Sequence, residues 1–430
     1  MNSHLIKYLV GFAFVSFQSS YGQSNIAISS LNFKTENLRE LRTEQSIITP
    51  LVNSQVVFLG EAAHGDGTTL AAKNELIKYL ISNHGFEVIL FERSFYELNK
   101  VNSLLKEKNL SQVEAQILLK SALKNEIFIS KELQAISAFI AVQRSKINIG
   151  GIGLTSRSQV LKLIGNDLLH FGVKRRDANK YLSLLTDLTR LEVCSNCETE
   201  YDFAGFYSIS NQLIKTIQNA NHMPEVGLMT QILKSNIRLA DWVRLRPKTT
   251  SRDYESLKKF IHEREKGLYE NLLWQLNTLY KEKKVIVSTA TFHMTLSKGA
   301  ETMVNYLPDS IKQKSYFLPF IRYQGKSGYD TKLKIFGVSD IEQDSSSIES
   351  LLHTTSHKFS FIDFSSLSEN ARDQINNMTM NPSEIIDNDL KWLDTYNGLF
   401  FIDTMKPDHW NELPTTFEKD LKKILNKVKR

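Results

Sequence analysis

The sequence predicts an α/β fold, a mainly parallel central sheet flanked by helices with a large helical lobe. Three observations predict it. Residues 56–92 read as strand, helix, strand, with an apolar run at each end, Val56-Val57-Phe58-Leu59 and Val88-Ile89-Leu90-Phe91. Further apolar runs of strand length follow, separated by helix-length segments. Residues 157–282 show almost only helical periodicity and read as an insertion or lid.

Residues 1–23 read as a signal peptide. Lys7 gives a short basic start, residues 8–17 are mostly apolar, and Ser20-Tyr21-Gly22 is a small-x-small cleavage site. That apolar stretch is too short to span a bilayer, and no later segment is long enough to be transmembrane. A periplasmic or secreted protein is the expectation. Residues 24–54 are a lead-in of short helix or coil. The first strand is 56–60, and a helix follows over 68–84, with Leu70, Leu76, Ile77, Leu80 and Ile81 at helical spacing and Gly85 as the stop. The second strand is 87–92, and two or three amphipathic helices fill 95–145. A third strand is placed at 146–151. The Gly151-Ile152-Gly153 after it does not complete a dinucleotide-binding fingerprint, because position 156 is Ser, so the glycines read as a tight strand-to-helix turn. A long helix closes the helical block at about 253–282. Strands then follow at 285–288, 314–322, 333–338, 359–363 and 398–402. No repeat or composition break divides residues 24–430.

With 41% hydrophobic and 23% charged residues, the composition is that of a globular domain. The net charge of +6 comes largely from surface-type runs such as Lys281-Glu282-Lys283-Lys284. No aromatic residues are interleaved with these runs, which argues for a solvated face and against a nucleic-acid partner. Cys194 and Cys197 are the two cysteines. No second ligand pair at zinc spacing accompanies them, so a local structural disulfide is expected in an oxidising compartment.

The chemistry is bounded first by absences. There is no Gly-x-Ser-x-Gly elbow, no His-Glu-x-x-His, and no phosphate-binding loop ending in Lys-Ser or Lys-Thr. Water activated by a side chain or a metal remains. His64, in Gly60-Glu61-Ala62-Ala63-His64-Gly65 just past the first strand, is the candidate base. A histidine near neutral pKa accepts a proton from attacking water, and a neighbouring carboxylate fixes its tautomer. Glu61 and Glu92, each at a strand end, are placed for that role, because side chains at the carboxyl edge of a parallel sheet converge on one crevice. His293, after the strand at 285–288, joins them. Lys73 and Arg264, cations on flanking helices, are candidates for holding a substrate oxygen. Asn271 and Trp274 read as packing residues.

Together these residues resemble the erythromycin esterase family. Its first motif is matched by Gly60, Glu61, His64, Gly65 and Glu92. Its Arg-acidic…Asn-x-x-Trp helix is matched by Arg264, Glu265, Asn271 and Trp274. Its histidine loop is matched by His293, and its C-terminal strand by Tyr396-Asn397-Gly398-Leu399-Phe400-Phe401-Ile402-Asp403. The resemblance implies an erythromycin-esterase-like domain over 24–430 and a role in antibiotic resistance. It also implies cofactor-free attack of water on a macrolide lactone, with His64 as base and Glu61 and Glu92 in support. Two positions depart from the family: Lys73 stands where it has Arg, and Ala290 where its loop has a first His. The sequence-level expectation is therefore a small-molecule ester or lactone hydrolase. Two other readings fit the same residues. One is a divalent-metal hydrolase with Glu61, His64, Glu92 and His293 as ligands. The other is a non-catalytic haem- or polysaccharide-binding member of the same fold.

Overall fold

The computed structural model describes residues 33–35, 49–107, 109–124, 128–155, 159–193, 200–220, 223, 225–246, 254–296, 301–331, 335–379 and 391–428. The leader at 1–23 and the Cys194/Cys197 pair lie outside the described residues. Eleven strands occur among those described: β1 (Phe33–Thr35), β2 (Val56–Glu61), β3 (Phe86–Ser94), β4 (Phe128–Ser130), β5 (Asn148–Gly153), β6 (Lys284–Ala290), β7 (Ser315–Thr331), β8 (Ile335–Asp340), β9 (Phe359–Asp363), β10 (Gly398–Met405) and β11 (Asp408–Glu412). The main sheet runs β1-β9-β10-β7-β2-β6-β3-β5. From β10 to β5 every neighbouring pair is parallel, and β9 and β1 add an antiparallel edge.

The apolar runs are continuous because the central strands are buried on both faces. In β2, Val57 and Leu59 enter one core with Ile89, Ile286 and Leu318, while Val56 and Phe58 enter the other with Val88, Val285, Val287 and Phe317. Phe58 stacks on Phe317, with ring centroids 4.8 Å apart. Each such side chain contributes about 1.5–3 kcal/mol by leaving water. The strand therefore changes character only at its exit, where Glu61 emerges.

The first core is covered by the helix Gly67–Asn83, through Ala72, Leu76, Ile77 and Leu80. Gly85 follows at φ +70°, the left-handed stop that the sequence predicts. The second core is covered by the helix Tyr254–Trp274, through Leu268 and Leu272. Helices occupy Ile164–His170, Arg175–Val193, Phe203–Asn219, Val226–Arg244 and Tyr254–Trp274, within the stretch read as helical. Among the described residues no helix is long and apolar enough to cross a membrane.

Two expectations are corrected. Gly151 and Gly153 lie inside β5 rather than in a turn. A Cβ on Gly151 would fall 2.1 Å from the Ser94 carbonyl oxygen, so glycine there permits the close approach of β3 to β5. The lead-in is not only helix or coil, since Phe33–Thr35 pairs with β9. Asn271 and Trp274 are packing residues: the Asn271 amide donates to the Ile152 carbonyl at 3.1 Å, and Trp274 meets Phe95 edge-on.

Candidate active site

The parallel register sets the site. Glu61 pairs with Ala290 across β2 and β6, and Phe91 pairs with Ser288 across β3 and β6. Glu61 and Glu92 therefore leave the carboxyl edge on either side of β6, at the place where open α/β sheets bind ligands. A cavity of about 370 Å³ opens there, lined among others by Glu61, His64, Glu92, Arg93, Arg264 and Asp408.

One cluster surrounds Glu61. Its Oε1 lies 2.9 Å from Nδ1 of His64, and its Oε2 accepts from the Lys73 ammonium at 2.6 Å. Lys73 also donates to the Thr289 carbonyl at 3.3 Å. Burial alone would raise the Glu61 carboxyl. Lys73 and His64 outweigh it and hold the group at about 2. The His64 side chain is 57% exposed, and Nε2 is its remaining ring nitrogen. The hydrogen bond to Glu61 raises the imidazole above its ordinary 6.5; burial opposes this, and the charges of Glu61 and Glu92 add to it.

A second cluster surrounds Glu92. Its Oε2 accepts from the Thr289 hydroxyl at 2.9 Å and the Ala290 N–H at 3.0 Å. Its Oε1 lies 3.0 Å from the Arg264 guanidinium and 2.9 Å from Nε2 of His293. Nδ1 of His293 faces the fully buried Glu265 at 2.7 Å, and Glu265 also accepts the Met303 N–H at 2.9 Å. Burial would raise the Glu92 carboxyl, but His293, Arg264 and His64 hold it well below the carboxylate range. Burial would lower His293, but Glu92 and Glu265 together lift it to about 9. Thr289 joins the two clusters, its carbonyl serving Lys73 and its hydroxyl serving Glu92.

The six residues selected from the sequence thus fall into two layers. Glu61, His64, Glu92 and Arg264 line the cavity, whereas Lys73 (1% exposed) and His293 (2% exposed) stand behind Glu61 and Glu92. Lys73 is spent on Glu61 and does not reach the cavity as a substrate ligand. Among the described residues no three or more His, Cys, Asp or Glu side chains are placed to hold a metal ion. His64 Nδ1, both nitrogens of His293 and both oxygens of Glu92 are engaged within the protein, so the four proposed ligands share no centre.

The structure adds residues that the sequence reading did not select. Arg93 lines the cavity beside Glu92, and its side chain makes no ion pair or hydrogen bond among the described residues. Its charge is near enough to lower His64. Glu265 anchors His293. Asp408, on β11, lines the cavity with Trp410. The strand-exit position next to Glu92 was a usable signal for Arg93. Asp408 had none, because β11 carries no apolar run.

The loop carrying Glu61 and His64 is fixed by its glycines. A Cβ on Gly65 would lie 2.5 Å from Gly328 Cα, and one on Gly67 would lie 2.5 Å from the Pro407 carbonyl oxygen. The Gly65 carbonyl accepts from the N–H groups of Asp408 at 2.9 Å and Gly328 at 3.2 Å, which ties the loop to β7 and β11.

Against known proteins, no protein-family model matches the chain. YbfO of Bacillus subtilis (strain 168), which bears a provisional hydrolase name, is 24% identical over 344 residues, spanning 73% of this chain and 75% of its own. Among solved structures, a succinoglycan biosynthesis protein superposes with a TM-score of 0.67 at 16% identity, covering 90% of this chain and 98% of its own. An erythromycin esterase in its open conformation superposes with a TM-score of 0.56 at 14% identity, covering 87% and 98%. The architecture, a mainly parallel sheet under a helical lobe, is therefore the erythromycin-esterase-like fold. At these identities the likeness to the solved structures is one of fold.

Proposed function

We propose that this protein is a hydrolase that cleaves a carboxylic ester or lactone with water activated by His64. One observation carries the reading: an exposed imidazole in a cleft whose Nδ1 is held by a carboxylate that is itself fixed by a buried lysine. That arrangement sets the tautomer, leaves Nε2 basic, and stabilises the imidazolium that forms on proton transfer. Water gives its proton to Nε2, its oxygen bonds to the carbonyl carbon, and the carbonyl oxygen becomes an oxyanion. Arg93 supplies a cation not committed to another described residue, and Arg264, shared with Glu92, supplies a second. The Glu92–His293–Glu265 chain holds the far wall rigid. Leu70, Phe91, Leu123 and Leu133 give the cavity an apolar side suited to a small organic substrate. The provisional name of YbfO and the fold shared with an erythromycin esterase support the same reading. We also propose export, with residues 1–23 as the leader.

The test is hydrolysis of a panel of lactones and simple esters by the purified protein, with His64→Ala as control. The expected result is turnover in the parent and loss of about 10³-fold or more in the variant, with an unchanged thermal melt. Hydrolysis that survives His64→Ala would overturn the reading. Activity lost to a chelator and restored by zinc or manganese would put a metal-dependent reaction in its place.

A further inference from the structure

Several carboxylates around this cavity are matched by cations. Glu61 has Lys73, Glu92 has Arg264 and His293, and Asp66 behind the loop has Arg322 at 3.2 Å. Asp408 lines the same cavity, is 2% exposed, and makes no ion pair among the described residues. Its Oδ2 accepts the Trp410 indole N–H at 2.6 Å, and its Oδ1 is buried and meets no donor within hydrogen-bond distance among the described residues. The Ser130 hydroxyl lies alongside on β4. The charged groups that face it are Glu132, from the helix Lys131–Gln143, and Glu61, at the end of β2. A carboxyl out of water, without a cation and facing two carboxylates, is shifted towards its protonated form.

We propose that Asp408 is the proton donor of this site, a second catalytic residue that protonates the departing oxygen; the proposal rests on the ester-hydrolysis reading above. Burial lifts the Asp408 carboxyl to about 7, with Glu132 and Glu61 adding to the rise and Trp410 and Ser130 opposing it. Glu61, in the same cavity, is held at about 2. One carboxyl thus keeps the charge that supports the base His64, while the other is available as an acid in the same cavity. In the collapse step the carbon–oxygen bond to the leaving group breaks, and its electron pair stays on that oxygen. The oxygen takes the Asp408 proton and departs as an alcohol. The His64 imidazolium returns the proton taken from water to the Asp408 carboxylate through solvent, which closes the cycle without an external reagent. Trp410 is a positioning residue, since its N–H holds Oδ2 and leaves the other oxygen to carry the proton.

The experiment compares ethyl and p-nitrophenyl esters of one carboxylic acid, hydrolysed by the full-length protein and by Asp408→Asn. A nitrophenolate departs without a proton and an ethoxide does not. The expected result is a loss of about 10²–10⁴-fold in kcat on the ethyl ester and of under about tenfold on the nitrophenyl ester. Equal losses on both, or none on either, overturn the donor role and leave the hydrolase reading standing. A wild type that cleaves neither ester overturns both. Trp410→Phe keeps the carboxyl and removes a hydrogen bond that lowers it. The alkaline limb of kcat/KM on the ethyl ester should therefore move to higher pH, and an unmoved limb overturns the proposal even where Asp408→Asn fails to fold.

Discussion

Nε2 of His293 lies 2.9 Å from Oε1 of Glu92, while the other ring nitrogen lies 2.7 Å from Glu265. Both nitrogens therefore face carboxylates, and the ring is an imidazolium at neutral pH, with its pKa at about 9. In the proposed mechanism it organises Glu92 and does not serve as the base. His64, with one carboxylate and one open nitrogen, is suited to the role that His293 cannot take. Removing the charge in His293→Gln takes the near cation from the fully buried Glu265 and leaves Glu92 with Arg264 alone, at a cost of about 3–5 kcal/mol. The folded-state pKa lies above the ordinary 6.5, so the stabilisation is complete below 6.5 and is lost as pH rises through about 9. Denaturant melts of both proteins should differ most at about pH 6 and converge at about pH 10. A constant difference across that range would contradict the assignment.

The Glu61–His64 pair predicts the acid side of the pH profile. In the proposed mechanism the base is the neutral imidazole, whose pKa is raised above 6.5 chiefly by the hydrogen bond to Glu61. On an ester substrate kcat/KM should therefore rise with pH through a midpoint above 6.5. Glu61→Gln removes the raising interaction, so the midpoint should move down while the plateau falls by about 10²–10⁴-fold. A plateau that falls with no shift in midpoint would mean that Glu61 positions the loop without tuning the base.

The legible part of this molecule is the part where burial and chemistry coincide in sequence. Val56–Leu59 and Val88–Phe91 are apolar without alternation because both faces are covered, and the first polar residue after each run is a cavity carboxylate. Lys73, expected to hold a substrate oxygen, carried a signal against that task. It shares a helix face with Ile77 and Leu80, which are core, and so had to be buried and paired. What lies opposite was not legible. β11 reads Asp-His-Trp-Asn-Glu, held by the far end of β7 and by the three-residue β4, and no local pattern brings it to the first motif. That meeting is made by backbone hydrogen bonds between residues more than three hundred positions apart.

Gly65 offers a test of that meeting. In Gly65→Ala the new Cβ meets Gly328 backbone atoms at 2.5–2.7 Å, which cannot swing aside as a side chain would. Overpacking of this kind costs about 1–3 kcal/mol. It also displaces the carbonyl that holds the Asp408 and Gly328 N–H groups, so ester hydrolysis should fall by more than the stability loss explains. Gly85→Ala is the control. There φ is +70° and nothing lies within 4 Å of the added carbon, so strain of similar size should leave kcat/KM unchanged. Equal activity in the two variants would separate the loop's packing from its chemistry.

Arg93 gives the sharpest distinction between stabilising charge in the transition state and binding substrate. It lines the cavity one residue after Glu92 and is not committed to another described side chain, unlike Arg264. If it meets the oxyanion, Arg93→Ala should lower kcat by about 10²–10³-fold with little change in KM, because the charge it answers exists only after water has attacked. A second readout follows from its position. Arg93 lowers His64, so removing it should move the acid limb of kcat/KM to higher pH, opposite in direction to Glu61→Gln. Arg93→Lys keeps the charge and should restore the limb while recovering only part of kcat, since a point ammonium replaces a planar fork. A rise in KM at constant kcat would instead assign Arg93 to ground-state binding of the substrate.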